Sequence, residues 1–232
     1  NGTAQNDFTY SEQSKVLSSD PVVSELKTGI ASSEDVFKVV TFTDASWSIK
    51  KSLAWQLDVN GDGSVVRIKS DRIINGNAQN DFTYSEQSKV LSTDPVVTEL
   101  KTGITSSEDV FKVVTFTDAT WSIKKSLAWQ LDVNGDGSVV RIKSDRIING
   151  TAQNDFTYSE QSKVLSSDPV VSELKTGITS SEDVFKVVTF TDASWSIKKS
   201  LAWQLDVNGD GSVVRIKSDR IINGTPQNDF TY

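Results

Sequence analysis

A period of 74 residues is the feature that most restricts how this chain can fold. Residues 1–74, 75–148 and 149–222 are nearly identical, and residues 223–232 begin a fourth copy. The few differences between copies exchange small or polar residues. Because the period is longer than that of common solenoid repeats, it predicts three tandem near-identical domains.

The decapeptide NGTAQNDFTY, with small variations, occurs four times although there are only three repeat bodies. This excess is expected of a piece of a longer array, and also of bodies that each borrow a strand from a neighbour. We place a leading segment at residues 1–10 and repeats at residues 11–84, 85–158 and 159–232. No Gly/Ser-rich or Pro-rich linker separates the repeats, which predicts stiff junctions.

Hydrophobic patterning predicts that each repeat is mainly β. A short helix is expected over residues 18–29, with Asp20 as N-cap, Pro21 as its first residue and Gly29 as its stop. Residues 11–17 are expected to form a helical turn before it. Segments typical of strands lie at residues 7–10, 35–45, 52–59 and 64–70. The fold class is therefore mainly β, either β-sandwich-like or a small α+β domain with one short helix.

The strand predicted at residues 64–70 carries charge on one side. Its alternation puts Val66 and Ile68 on one face, and Arg67 and Lys69 on the other. A body of this length is near the lower limit of independent stability and has no disulfide. Packing between repeats, a borrowed strand or a bound metal would each add stability.

Composition narrows the classes of function. The chain has no Cys, His or Met, so it lacks the thiolate and imidazole groups of most nucleophilic and transition-metal sites. Its formal net charge of −7 argues against a nucleic-acid partner. No apolar run approaches the roughly 18 residues of a membrane span. Together these properties predict a secreted or cell-surface protein without a membrane span.

The segment LDVNGDGSV occurs once per repeat and carries the residue types of a calcium loop. Carboxylate and amide oxygens stand at alternate positions, a glycine allows the sharp bend, and a serine carbonyl follows at the seventh position. An aspartate further downstream is the nearest acid for closing the site. The predicted ligands are Asp58, Asn60, Asp62, Ser64 and Asp71 in the first repeat, Asp132, Asn134, Asp136, Ser138 and Asp145 in the second, and Asp206, Asn208, Asp210, Ser212 and Asp219 in the third.

This D-x-N-x-D-G pattern resembles the first half of an EF-hand loop, and the D-x-N-G-D-G loops of dockerin modules and other bacterial extracellular calcium repeats. The resemblance is confined to the loop and implies Ca²⁺ as the bound ion. The twelfth position, where those loops place an acid, holds Lys69. Asp71, or an acidic residue from elsewhere such as Asp44, would then supply the closing ligand. The same segment predicts a hairpin, because Asn-Gly between alternating runs is typical of a type I′ turn.

Other residues allow further interpretations. Trp55 lies on the alternating apolar face and is expected in the core, whereas Trp47, flanked by serines, is the better candidate for stacking on a sugar. Carboxylates are plentiful, but small repeats leave little room for a catalytic cleft, so we expect no enzyme. An isopeptide crosslink would need a buried lysine, an Asn or Asp, and a nearby acid, which the sequence does not place.

These observations predict a structural role. We expect a tandem-repeat segment of an extracellular, calcium-stabilised surface filament or adhesin stalk, whose partners are neighbouring repeats or copies of itself. The alternative is a multivalent module that binds carbohydrate or another surface, in which repetition supplies avidity.

Overall fold

A computed structural model describes residues 10–42, 50–59, 65–74, 76–133, 139–207, 213–222 and 225–227. These residues are mainly in strands, with three short helices. The mainly-β prediction is therefore confirmed. Every strand pair whose register is described is antiparallel, and the strands belong to one sheet. The α+β alternative, with helices packed on a sheet, describes this arrangement better than a two-sheet sandwich.

Fifteen strands are described, and each of the predicted repeats at residues 11–84, 85–158 and 159–232 holds all or most of five of them. Their bounds are β1 Tyr10–Lys15, β2 Val36–Phe42, β3 Lys50–Val59, β4 Val65–Ile74, β5 Asn77–Ala78, β6 Thr83–Lys89, β7 Val110–Phe116, β8 Lys124–Val133, β9 Val139–Ile148, β10 Thr151–Ala152, β11 Thr157–Lys163, β12 Val184–Phe190, β13 Lys198–Val207, β14 Val213–Ile222 and β15 Thr225–Pro226.

The helices are α1 Pro21–Leu26, α2 Pro95–Leu100 and α3 Pro169–Leu174. Each begins as the sequence predicts. The Asp20 side chain accepts a hydrogen bond from the Val22 amide at 3.0 Å, and proline occupies the first helical position. The chain leaves α1 through Gly29, whose φ of +74° favours glycine. The predicted helix is thus confirmed, although it is shorter than residues 18–29.

The prediction of a helical turn at residues 11–17 is wrong. Most of this segment lies in β1, which pairs with β2 from Tyr10 opposite Phe42 to Lys15 opposite Phe37. The local sequence is polar and carries no strong strand signal. The backbone N–H and C=O groups of β2 need hydrogen-bond partners. A neighbouring strand supplies such partners along its whole length, and this requirement decides the conformation of the segment.

The hairpin predicted around the NGDG segment is confirmed by the flanking strands. β3 pairs with β4 so that Val59 lies directly opposite Val65, and β13 pairs with β14 so that Val207 lies opposite Val213. A second hairpin joins β9 to β10 through Asn149 and Gly150, both with positive φ. Those backbone angles are the ones that a type I′ turn requires.

The alternation predicted in β4 is confirmed, but its charged side is the buried one. Arg67, Lys69 and Asp71 are buried, whereas Val66 and Ile68 are only half-buried. The charged face is covered by α1, which supplies carbonyl groups and a carboxylate to these side chains. Burial therefore follows the position of the helix rather than the hydrophobicity of the strand.

The hydrophobic core lies between the helices and the sheet. Around α1, the fully buried side chains are Leu26 from the helix and Leu57 from β3, with Val36 beside them. The equivalent residues around α2 are Leu100, Leu131 and Val110. Trp55 packs against the first of these clusters as a half-buried side chain.

The chain divides into two compact units. The first comprises Asn1–Lys89, Phe111–Leu127 and Arg146–Gln153, and the second comprises Val90–Val110, Ala128–Asp145 and Asn154–Tyr232. Each unit takes segments from more than one repeat of the sequence. The repeat boundaries at residues 11–84, 85–158 and 159–232 stay a prediction. Within the described part of the chain, no helix is long and apolar enough to cross a membrane.

Candidate functional site: buried charge clusters where sequence repeats meet

The predicted calcium loops lie mostly outside the described residues. Asp58 and Asp132 are exposed near the ends of β3 and β8, and Asp206 occupies the same place in β13. The remaining loop positions fall outside the described ranges, namely Asn60, Asp62, Ser64, Asn134, Asp136, Ser138, Asn208, Asp210 and Ser212. Among the residues that are described, no three acidic side chains are grouped so as to hold an ion. The calcium site therefore stays a prediction.

The register separates Asp71 from the loop it was expected to close. Asp58 lies opposite Val66, whereas Asp71 lies opposite Leu53, five residues further along β4. At the rise of a β-strand this is a separation of about 16 Å. Asp219 has the same register against β13. The distance argues against Asp71 and Asp219 as the closing ligands of their loops.

Asp71, Asp145 and Asp219 have a different environment. All three are at most 4% exposed. Among the described residues, the Oδ1 atom of each is buried without a hydrogen-bond partner. A buried carboxylate oxygen without a partner costs free energy. These aspartates belong to the buried charged face of the sheet rather than to the loops.

A cluster of charged and aromatic residues is assembled beside α1. We call it the first junction cluster, and its members are Glu25, Arg67, Lys69, Tyr84, Glu86 and Trp121. By the predicted boundaries, Glu86 and Trp121 belong to the second repeat while the other four belong to the first. All six residues lie in the first compact unit.

Arg67 connects the end of α1 to the neighbouring strand. Its Nη1 donates to the Leu26 carbonyl at 3.2 Å and to the Thr28 carbonyl at 2.5 Å, while Nε donates to Glu86 Oε2 at 3.1 Å. The guanidinium lies 4.5 Å from the ring centroid of Trp121. Arg67 therefore supplies donors to carbonyl groups that the helix leaves without partners, and positive charge to the helix C-terminus.

Lys69 and Tyr84 both bind the Glu25 carboxylate. The register places Lys69 opposite Trp55 on one side and opposite Tyr84 on the other. Lys69 Nζ forms an ion pair with Glu25 Oε2, and the Tyr84 hydroxyl donates to Glu25 Oε1 at 2.6 Å. Burial, together with this hydrogen bond, raises the pKa of Tyr84 well above its ordinary value. The tyrosine is therefore a permanent donor at physiological pH.

Trp121 closes the cluster from a loop between β7 and β8. It is 9% exposed and its Nε1 donates to the Glu25 backbone carbonyl at 3.2 Å. The ring packs edge-on against Tyr84 and Phe116, with centroids 5.4 and 5.0 Å away. Trp121 corresponds to Trp47, the predicted sugar-binding residue, which lies outside the described residues. In the second repeat this tryptophan is part of the core.

The loop that carries Trp121 is organised by Asp118. Asp118 Oδ1 accepts from the Thr120 hydroxyl at 2.8 Å and from two backbone amides, and Oδ2 accepts from the Ser122 hydroxyl at 3.0 Å. The Thr120 hydroxyl and the Ser122 donors hold the pKa of Asp118 below its ordinary value. This network supports the φ of +62° at Trp121, which is uncommon for a residue other than glycine.

The second compact unit contains an equivalent second junction cluster of Glu99, Arg141, Lys143, Tyr158, Glu160 and Trp195. Lys143 Nζ lies 2.5 Å from Glu99 Oε2, and the Tyr158 hydroxyl donates to Glu99 Oε1 at 2.5 Å. Arg141 repeats the contacts of Arg67, including its 4.5 Å approach to a tryptophan ring. In the third repeat Lys217 pairs with Glu173 at 2.5 Å, and the corresponding Tyr232 lies outside the described residues.

Sequence reasoning missed both junction clusters. The alternation of Arg67, Lys69 and Asp71 in a strand was visible, and so was the recurrence of Trp47 and its copies. A charged stripe in a strand is normally solvated, because burying a charge is costly unless it is paired. The partners of this stripe come from α1 and from the following repeat, which local patterns do not reveal.

The chain matches no family model, no curated protein and no solved structure.

Proposed function

We propose that the chain is a structural segment of an extracellular, calcium-stabilised tandem array, in a surface filament or an adhesin stalk. The observation that carries this proposal is the first junction cluster. Trp121 and Glu86, from the second repeat, bind the backbone of α1 and the buried Arg67 of the first. Separating the two repeats would break a buried ion pair, a hydrogen bond and aromatic packing together. Such contacts suit a chain that bears tension.

Strand sharing supports the same role. β6 extends across the predicted boundary between residues 84 and 85. It pairs with β4 of the first repeat on one side, and with β7 of the second repeat on the other. We propose that the decapeptide segment which leads into such strands exchanges between neighbouring repeats or copies of the chain. Backbone hydrogen bonds along a whole strand would then join successive repeats.

The secreted location and the ion rest on the sequence. The absence of Cys, Met and His and the net charge of −7 suit an extracellular setting. In the proposed site of the first repeat, Asp58, Asn60, Asp62 and the Ser64 carbonyl hold Ca²⁺, and the equivalent residues do so in the other two NGDG loops, which follow the ends of β8 and β13. An ion that binds only the folded state would stiffen the array and raise its stability. The proposal assigns the chain no catalytic role.

Thermal unfolding with millimolar calcium, and again with excess chelator, tests the ion. We expect calcium to raise the melting temperature of the chain, and this rise to disappear in a variant with Asp58→Ala, Asp132→Ala and Asp206→Ala. A suitable control is the variant Asp35→Ala, Asp109→Ala and Asp183→Ala, which removes equal charge outside the loops. Equal melting temperatures with calcium and with chelator would mean that the NGDG segments act only as hairpin turns and bind no calcium.

One observation favours the alternative of carbohydrate binding. A pocket of about 610 Å³ beside α1 is lined by Trp55, Phe82 and Lys38, among others. Lys38 lies directly opposite Trp55 on the neighbouring strand. Aromatic faces beside a cation suit an acidic sugar. A glycan array tests this alternative: a spacer shows no sugar preference, whereas a lectin shows one that Trp55→Ala weakens.

A further inference from the structure

We propose that Lys69 and Glu25 are the partners of an intramolecular isopeptide bond, an amide between lysine Nζ and glutamate Cδ. Glutamate takes the place of the Asn or Asp that such a crosslink was expected to need, and the Tyr84 hydroxyl takes the place of the nearby acid as donor to the carboxyl group. Lys143 and Glu99 are the partners of the equivalent bond in the second compact unit. This proposal rests on the geometry of the two pairs and is independent of the proposed structural function.

The two reacting groups are already held in contact. Lys69 Nζ touches Glu25 Oε2, and the equivalent atoms of Lys143 and Glu99 are 2.5 Å apart. The lysine side chain is only 10% exposed and the glutamate side chain 22%. Because amine and carboxyl group are fixed by a strand and a helix, the reaction needs no diffusive encounter.

Tyr84 holds the other oxygen of the same carboxyl group. Its hydroxyl donates to Glu25 Oε1 at 2.6 Å, while Oε2 faces the lysine. A donor aimed at Oε1 stabilises the negative charge that forms there when the amine adds to Cδ. Burial raises the pKa of Tyr84, so the hydroxyl keeps its proton and remains a donor throughout.

Aromatic rings surround the lysine and limit its access to water. Lys69 Nζ lies 3.9 Å from the ring centroid of Phe82, 5.5 Å from that of Tyr84 and 5.7 Å from that of Trp55. These distances place the lysine Nζ within cation–π range of all three rings.

The reaction balances without an oxidant or a second substrate. One proton passes from the Lys69 ammonium to Glu25 Oε2, leaving a neutral amine and a neutral acid. The amine lone pair attacks Cδ, and the electron pair of the C–Oε1 double bond moves onto Oε1. The second proton passes from nitrogen to Oε2, the Cδ–Oε2 bond breaks, and water leaves. The product is an amide whose carbonyl oxygen is Oε1, still bonded to Tyr84.

Such a bond would join α1 to β4 across 44 positions of the sequence. A covalent link of this span restricts the unfolded chain in the way a disulfide does, in a protein that has no cysteine. It would also keep the helix attached to the strand that presents Arg67 and Lys69.

Intact mass spectrometry of the denatured, full chain tests the proposal. We expect protease digestion to yield branched peptides joining Lys69 to Glu25 and Lys143 to Glu99, and each bond to lower the intact mass by one water. The total deficit is then two waters, or three if Lys217 and Glu173, which are also 2.5 Å apart, react in the same way. The full sequence mass would overturn the proposal. So would a water loss mapped outside the three lysine–glutamate pairs, for instance to the buried Asp71. A succinimide formed at an Asp-Gly pair would also lower the mass by one water. Treatment with mild alkali distinguishes the two, because it reopens the succinimide and leaves an isopeptide bond intact.

Three variants use one pair as a control for the other within the same molecule. Lys69→Arg keeps the positive charge but cannot form the amide, so we expect a deficit one water smaller than that of the unmodified chain, with the branched peptide of Lys143 and Glu99 retained. Tyr84→Phe removes the donor to Oε1, and we expect it to slow or abolish only the first bond. Tyr158→Phe should act only on the second bond. If the Lys69→Arg variant has the same deficit as the unmodified chain, the assignment is wrong.

Discussion

Arg67 shows how a single charged residue is retained in the interior. It is 7% exposed, yet each of its described contacts is with a carbonyl oxygen, a carboxylate or an aromatic face. A buried charge is tolerated only when it is paired and hydrogen-bonded in this way. The planar guanidinium reaches two backbone carbonyls and one carboxylate at once, which a lysine ammonium cannot do in the same geometry.

Arg67→Lys is therefore expected to destabilise the chain. At least one buried carbonyl loses its donor, which costs about 1–3 kcal/mol. Urea unfolding measures the change. The control is Arg72→Lys on the same strand, where the ion pair with Asp81 is exposed, so the free energy of unfolding should change far less than at Arg67. Equal losses at the two positions would contradict the role given to Arg67.

Asp118 gives the chain a predictable response to acid. Its pKa is lowered in the folded state, chiefly by the Thr120 hydroxyl and the Ser122 donors. A carboxyl group with a lowered folded pKa stabilises the fold above its unfolded pKa, and this contribution is lost as the pH falls through the folded value.

We therefore expect Asp118→Ala to lower the melting temperature at neutral pH, and this difference from the unmodified chain to shrink as the pH falls below about 4. Melting curves from neutral pH to about pH 2 measure it. Asp192→Ala, in the equivalent loop with the same lowered pKa, should behave alike. A difference that is constant over this range would show that the carboxylate charge plays no part.

At the scale of elements, the helices were easier to predict than the strand before them. Asp20, Pro21 and Gly29 are local signals, and each acts on a backbone angle or an amide within α1. β1 has no equivalent signal, because a strand is stabilised by hydrogen bonds to another strand distant in the sequence. The same reasoning explains why β4 extends to Ile74, beyond the predicted residue 70.

The attachment of α1 to the sheet depends on Leu26. This side chain is fully buried against Leu57 and Val36, so Leu26→Ala should cost about 2–5 kcal/mol of unfolding free energy. Chemical denaturation checks the value. Leu17→Ala is the matched control, because Leu17 is 76% exposed and its truncation should change stability by no more than about 0.5 kcal/mol. A cost below about 1 kcal/mol at Leu26 would mean that α1 does not anchor the core.

At the scale of the whole molecule, stability is shared between sequence repeats. Trp121 comes from the second repeat, yet it covers Glu25 and Arg67 of the first. Trp195 has the same relation to Glu99 and Arg141. Losing one tryptophan should therefore loosen the helix of the preceding repeat, about 96 positions earlier in the chain.

Hydrogen exchange measures this directly. We expect Trp121→Ala to speed amide exchange in α1 and leave α2 unchanged, because Glu25 and Arg67 lose the ring that covers them. Trp195→Ala should speed exchange in α2 and leave α1 unchanged. Faster exchange confined to the loop around the mutated tryptophan would show that the junction clusters do not support the helices.

The sequence by itself determined the 74-residue period, the mainly β content, the cap and stop of α1, and the hairpin between β3 and β4. Each of these depends on residues close together in the chain, whose backbone preferences act locally. Tertiary structure alone decided that β1 is a strand, that the charged face of β4 is the buried one, and that Trp121 lies in the core. These outcomes depend on partners distant in the sequence, since a charged residue such as Arg67 becomes buried only where another element supplies its hydrogen bonds.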